Sequence, residues 1–187
     1  MKTKLQKTTS LILSIVFISA VVFGQDWNTV FEQGRSAFDA RKYSEAVEFF
    51  KRAIAIRPNV PEGHFNLGLS YFRLEQFGAA AAAFREAVRL KPDYQTAWVQ
   101  LGNALDLNNQ YAEALVAYET AKRLDPSDGI VYYEIGVAHA GQKKWADAEA
   151  AYRKSIALKP DFPSSYYNLG LTLESLERPD DAIPYFR

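Results

Sequence analysis

The chain contains no cysteine in 187 residues, only two histidines and one methionine, and no excess of either charge. Without a thiol there is no disulfide, no thiolate metal ligand, no cysteine nucleophile and no cysteine for lipid attachment. The 22 basic residues match the 22 acidic ones, so no basic surplus exists to draw nucleic acid or anionic lipid. His64 and His139 stand far apart, and neither has a second histidine at metal-ligand spacing. No glycine-rich phosphate loop is present, because the run from Gly141 through Lys143 and Lys144 lacks the upstream glycine that a phosphate cradle needs. Glycine and proline are also scarce, at ten and eight residues. Their placement is the main signal in the chain.

Gly34, Gly68, Gly102, Gly136 and Gly170 follow one another at steps of 34 residues. Pro58, Pro92, Pro126 and Pro160 keep the same step, as do Ala46, Ala80, Ala114, Ala148 and Ala182. A fixed period of this length means an array of equal units rather than one closed core. Each unit carries two helical faces. In the second, His64, Leu67, Gly68 and Tyr71 recur at spacings of three and four, followed by Phe77, Ala80, Phe84 and Ala87. Proline then stops the second helix, and Asp93 and Asp161 are expected to start the next. The small residues are expected where helices cross closely. Aromatic residues fill the gap at Phe50, Phe84, Tyr118, Tyr152 and Phe186. A second aromatic series, Tyr43, Phe77, Tyr111 and Trp145, is expected to wedge where the two helices join.

The first 24 residues are different material. Lys2, Lys4 and Lys7 precede an apolar run from Leu11 to Phe23, which suits the core of a signal peptide and is short for a membrane span. Cleavage is expected between Gly24 and Gln25, leaving 19 basic residues against 22 acidic ones. The alternative is an uncleaved N-terminal anchor. Either places the repeats outside the cytoplasm, periplasmic or secreted.

Trp98, Leu101, Gly102, Ala114, Tyr118 and Pro126 resemble the tetratricopeptide-repeat pattern W-x2-L-G…A-x3-F…P. The resemblance covers residues 27–187 and implies an all-α, right-handed α-solenoid of helical hairpins of a bacterial exported type. The units run over about 27–60, 61–94, 95–128, 129–162 and 163–187, four complete and one truncated. The first unit departs from the pattern at Val30, Gln33 and Ala37, as a terminal unit with an exposed face would. In the fifth, Pro179 replaces the junction aromatic, and Pro184 falls near the start of the second helix, where a missing donor costs least. Ala182 and Phe186 are expected to present an uncovered apolar face; a continuation beyond Arg187 is favoured over a frayed end.

The residues offer no catalytic constellation and no cofactor or metal site. His64 and His139 are expected to face the neighbouring helix as packing residues. Glu48, Glu119 and Glu149 stand one turn before Arg52, Arg123 and Arg153, pairs that describe a solvated outer face. Binding is the stronger reading, since stacked hairpins curve into an extended concave surface. The resemblance implies that positions two, five, six, nine, twelve and thirteen of each first helix line it. Position five reads Phe31, Phe65, Val99, Tyr133 and Tyr167, widened by Phe38, Phe72, Leu69, Val137 and Leu171. Such a row marks an interaction surface if exposed, or packs between adjacent helices if not.

Position six reads Glu32, Asn66, Gln100, Glu134 and Asn168. Primary amides both donate and accept, and so can hold a peptide backbone without reading its sequence. Asn66 and Asn168 resemble the asparagine ladder in the repeats of O-linked N-acetylglucosamine transferases, whereas Glu32 and Glu134 depart from it. Repeats that clamp the acidic tails of heat-shock chaperones carry lysine at position five and asparagine at nine. Here position five has no lysine, and Asn103 stands alone at nine. Arg35 and Arg73 are outnumbered by Asp39, Glu62, Asp106 and Glu174, so an acidic ligand meets net repulsion.

The expected function is a non-enzymatic scaffold outside the cytoplasm, holding an extended peptide or partner helix. The alternatives are a recruitment segment of a larger, glycosyltransferase-like enzyme and self-association through the last hairpin. Nucleic acid is not an expected partner, and no membrane span is expected in the mature chain.

Overall fold

A computed structural model describes residues 26–186, so the expected signal peptide lies outside the described residues. The helices are α1 (Trp27–Asp39), α2 (Tyr43–Ile56), α3 (Pro61–Arg73), α4 (Phe77–Leu90), α5 (Gln95–Leu107), α6 (Tyr111–Leu124), α7 (Gly129–Gly141), α8 (Trp145–Leu158), α9 (Pro163–Ser175) and α10 (Pro179–Ala182). A 3₁₀ turn, Ile183–Phe186, follows α10. Odd-numbered helices are the first of each hairpin and even-numbered helices the second. No strand occurs among the described residues.

Each helix packs on its neighbours in sequence, and each first helix also touches the next first helix. Second helices make no such contact with one another among the described residues. The first helices therefore form the inner layer, on the shorter radius of the curve, and their free faces line the concave side. The array is an α-solenoid, as the period implies.

The glycine beat has a more specific cause than close helix crossing. A Cβ on Gly34 would lie 2.7 Å from the Phe50 ring. Gly68, Gly102, Gly136 and Gly170 stand in the same relation to Phe84, Tyr118, Tyr152 and Phe186. Each glycine is the seat for the aromatic ring sixteen residues on. The alanine beat is buried throughout, from Ala46 to Ala182.

Proline and the fourth helical position are also coupled. His64 Nε2 lies 2.8 Å from the Pro58 carbonyl, Trp98 Nε1 donates to that of Pro92 at 2.8 Å, and the Tyr166 hydroxyl donates to that of Pro160 at 3.0 Å. The tryptophan of the pattern thus pins the link between units, and His64 is tied to the link before its own helix in the same way. His139 is half-buried, with Nδ1 unpartnered, and burial holds its pKa below the usual histidine value.

The turn inside each hairpin was not legible in the sequence. Arg41, Glu75, Asn109, Lys143 and Glu177 all have φ between 57° and 61°, again 34 residues apart. Each follows a first helix, and its N–H reaches back to close the turn: Arg41 to the Phe38 carbonyl at 2.9 Å, with Lys42 to Ala37 at 2.9 Å. The same pair of bonds recurs in all five hairpins, the pattern of a Schellman cap without its usual glycine.

Several expectations are corrected. Asp93 and Asp161 cap nothing: α5 begins after Tyr94 and α9 after Phe162. Asp128 is the residue whose side chain caps a helix, accepting from Ile130 N at 2.9 Å. Glu119 pairs with Lys122, while Arg123 donates to Thr120; Glu48 meets Lys51 at 3.1 Å. Lysines three residues on reach these carboxylates because i and i+3 share a helix face. The Glu149–Arg153 pair forms at 2.8 Å. Pro184 does not sit inside a continuing second helix, because α10 ends at Ala182 and passes into the 3₁₀ turn. Ala182 is buried against Leu169 and Leu173, so of the two residues expected to be uncovered only Phe186 is exposed. Arg178, held to Glu149 at 2.8 Å, ties this hairpin to the fourth unit.

Candidate functional site

The position-five row runs along the first helices, buried at its first member and exposed at its last. Phe31 is buried, stacked on Trp27 with centroids 4.6 Å apart and tilted against Phe50, so the row is not open there. Phe65 is half-buried between Phe84 and Tyr94, the latter at 4.9 Å. Val99 packs on the central core cluster. Tyr133 is half-buried against Tyr152 and meets Phe162 edge-on at 5.0 Å. Only Tyr167 shows most of its surface, at 57%. The covering rings Tyr94 and Phe162 come from the links between units, which is why periodicity within one helix did not reveal them. Phe72 is half-buried edge-on to Phe77 at 5.4 Å, the junction wedge expected of the second aromatic series.

The amide row is partly spent within the fold. Asn66 Nδ2 donates to the Glu62 carbonyl of its own helix at 2.8 Å, and Asn168 Nδ2 donates to the Tyr133 hydroxyl at 3.1 Å. Asn103, at position nine, accepts from the Tyr118 hydroxyl at 2.8 Å. Gln100 is half-buried and makes no side-chain bond among the described residues. Its amide is therefore the free member of the row.

A cleft of about 450 Å³ spans the third to fifth units. Asp106 and Asn168 line it with Tyr111, Trp145 and Tyr152. Gly141 opens it, since a Cβ there would sit 2.9 Å from the Tyr111 ring. Glu134 lies close by on α7, and its carboxyl is pushed up to about 7 by burial and by the charge on Asp106. Burial likewise raises Asp106. The two acids are 28 residues apart on different units, so no local spacing joined them, and acids also stand at the same positions in other units, Glu32 at six and Glu174 at twelve. Among the described residues no group of three His, Asp or Glu side chains is gathered that could hold a metal ion. No described helix is long and apolar enough to cross a membrane.

The comparisons with known proteins fit this geometry. A tetratricopeptide-repeat family profile matches residues 65–129 and 133–187, and a second repeat profile matches 34–75. No curated protein matches the chain. Among solved structures, a MamA protein is 24% identical over 86% of this chain and 87% of its own, with a TM-score of 0.80. MamA from Desulfovibrio magneticus RS-1 is 22% identical over 87% and 92%, at 0.82. YrrB, described as a TPR protein with an unusual peptide-binding site, is 19% identical over 90% and 88%, at 0.74. These likenesses concern the fold. With five hairpins in register and family profiles covering most of its length, the chain belongs to the tetratricopeptide-repeat family.

Proposed function

We propose that this protein is a non-catalytic interaction scaffold acting outside the cytoplasm, and that its concave groove holds an extended peptide or a partner helix. The observation that carries the reading is the inner layer of first helices, which offers one continuous face on which Tyr167 is exposed and the Gln100 amide is unbonded among the described residues. The unusual peptide-binding site named for YrrB supports it by analogy of fold. Export rests on the N-terminal run from Lys2 to Phe23.

Asn66 and Tyr133 are held by contacts inside the fold, so Tyr167 and Gln100 are the cleaner probes of the groove. The mature chain is used to capture partners from the native cell envelope, in parallel with a Tyr167→Ala/Gln100→Ala variant and a convex-face Val116→Ser control. Partners lost by the double variant and kept by the control, at unchanged helicity, support the groove. Undiminished capture by the double variant moves the interface elsewhere. N-terminal sequencing of the protein from the envelope should start at Gln25; an intact Met1 would favour the anchored form.

A second reading is self-association through the last hairpin. It draws on Tyr167, Ile183 and Phe186, which are exposed together near a cleft of about 420 Å³. A sedimentation mass independent of concentration would remove it.

A further inference from the structure

The cleft across the third to fifth units is lined by an acid that no group of the fold pairs among the described residues. Asp106 lines it, and Asp106 Oδ1 is buried without a hydrogen-bond partner. Glu134, on the next first helix, feels the charge of Asp106 and makes no hydrogen bond or ion pair among the described residues. A buried carboxylate left unpaired is costly to the folded state, so a counter-charge from outside the chain is the natural complement.

The remaining wall indicates what kind of cation fits. Tyr111, Trp145 and Tyr152 line the same cleft, and aromatic faces attract organic cations as well as packing their hydrocarbon stems. Among the described residues no third carboxylate or histidine joins the pair, whereas the common hard metal ions take six or more oxygen ligands. The cleft is lined by positions nine, twelve and thirteen of the first helices, including Asp106, Val137 and Gly141. It therefore opens onto the groove, where a side chain can enter from a backbone running along the inner layer.

We infer that this cleft is a recognition pocket for a cationic side chain, a lysine or arginine of the bound peptide, with Asp106 as its ion-pair partner and Trp145 and Tyr111 as its walls. The assignment rests on the groove reading given under Proposed function and names the chemistry of its occupant.

The test titrates the mature full-length chain with a capped glycyl-lysyl-glycine peptide and with its norleucine counterpart, following backbone amides and the Trp145 indole N–H by NMR. The lysine peptide should shift Trp145 and the amides around Asp106, with a dissociation constant near or below about 1 mM, and the norleucine peptide should bind about tenfold more weakly. Asp106→Asn should remove that preference, Glu134→Gln should weaken it, and Asp93→Asn, an exposed acid, should leave it intact. Both groove variants are isosteric, and their amide spectra report on folding in the same experiment. Equal binding of the two peptides in the cleft would overturn the cationic assignment and leave the groove reading standing. Shifts confined to the convex face would overturn both. An unaltered lysine preference in Asp106→Asn, or no shift at about 10 mM peptide, would also overturn the assignment.

Discussion

Five left-handed residues, Arg41, Glu75, Asn109, Lys143 and Glu177, close the hairpin turns, and none is a glycine. An L residue in this conformation costs roughly 1–2 kcal/mol, part of which glycine recovers before its own entropy penalty. Lys143→Gly should therefore raise the stability of the array, by about 0.5–1 kcal/mol, seen as a higher midpoint in urea by circular dichroism. A lower midpoint would mean that Lys143 is not left-handed in solution. Glycine elsewhere does the opposite work. Gly136→Ala drives a methyl group into the Tyr152 ring and should cost roughly 1–3 kcal/mol; an unchanged midpoint would show that the ring can move aside.

At the scale of the hairpin, the small residues and the prolines act together. Ala114 is fully buried in the central core cluster, so Ala114→Leu should overpack it and lose roughly 1–3 kcal/mol, read as a fall in melting temperature. Trp98 holds the link between the second and third units through the Pro92 carbonyl. Trp98→Phe keeps most of the packing and removes the donor, so about 1 kcal/mol should be lost. The second of these tests separates the hydrogen bond from the ring, since a cost well above that figure would assign the residue's role to packing. The pattern residues of the family were visible one by one in the sequence. Their coupling was not: that Trp98 reaches Pro92, or that Gly102 seats Tyr118, depends on how the chain returns on itself.

Across the whole molecule, the pair formed by Asp106 and Glu134 gives the array a pH dependence. Glu134 sits at about 7 in the folded chain against an ordinary value of 4.5. Between those limits the folded state binds a proton that the unfolded chain has already released, so this term lowers stability as pH rises from about 4.5 to 7 and adds no further change above it. Glu134→Gln should flatten this slope and raise the midpoint at pH above about 7 relative to the parent. An unchanged slope in urea titrations across that range would show Glu134 to be ordinarily solvated. The groove was legible in part. Its lining positions were implied by the family resemblance; at two of them Tyr167 is exposed and Gln100 makes no side-chain bond among the described residues. Phe31, Phe65 and Tyr133 are covered to different degrees by rings such as Trp27, Tyr94 and Phe162, and a single helix's periodicity carries no information about what arrives from a neighbouring link.

What the sequence determined alone was the repeating unit: two helices, a stop, and small residues in fixed register, because helix periodicity and proline's missing donor act locally and every 34 residues alike. The tertiary structure decided which faces remain open and which charges stand alone. Those depend on residues a unit or more apart, Asp106 with Glu134 and Tyr133 with Phe162, meeting only when the hairpins stack and water is removed from between them.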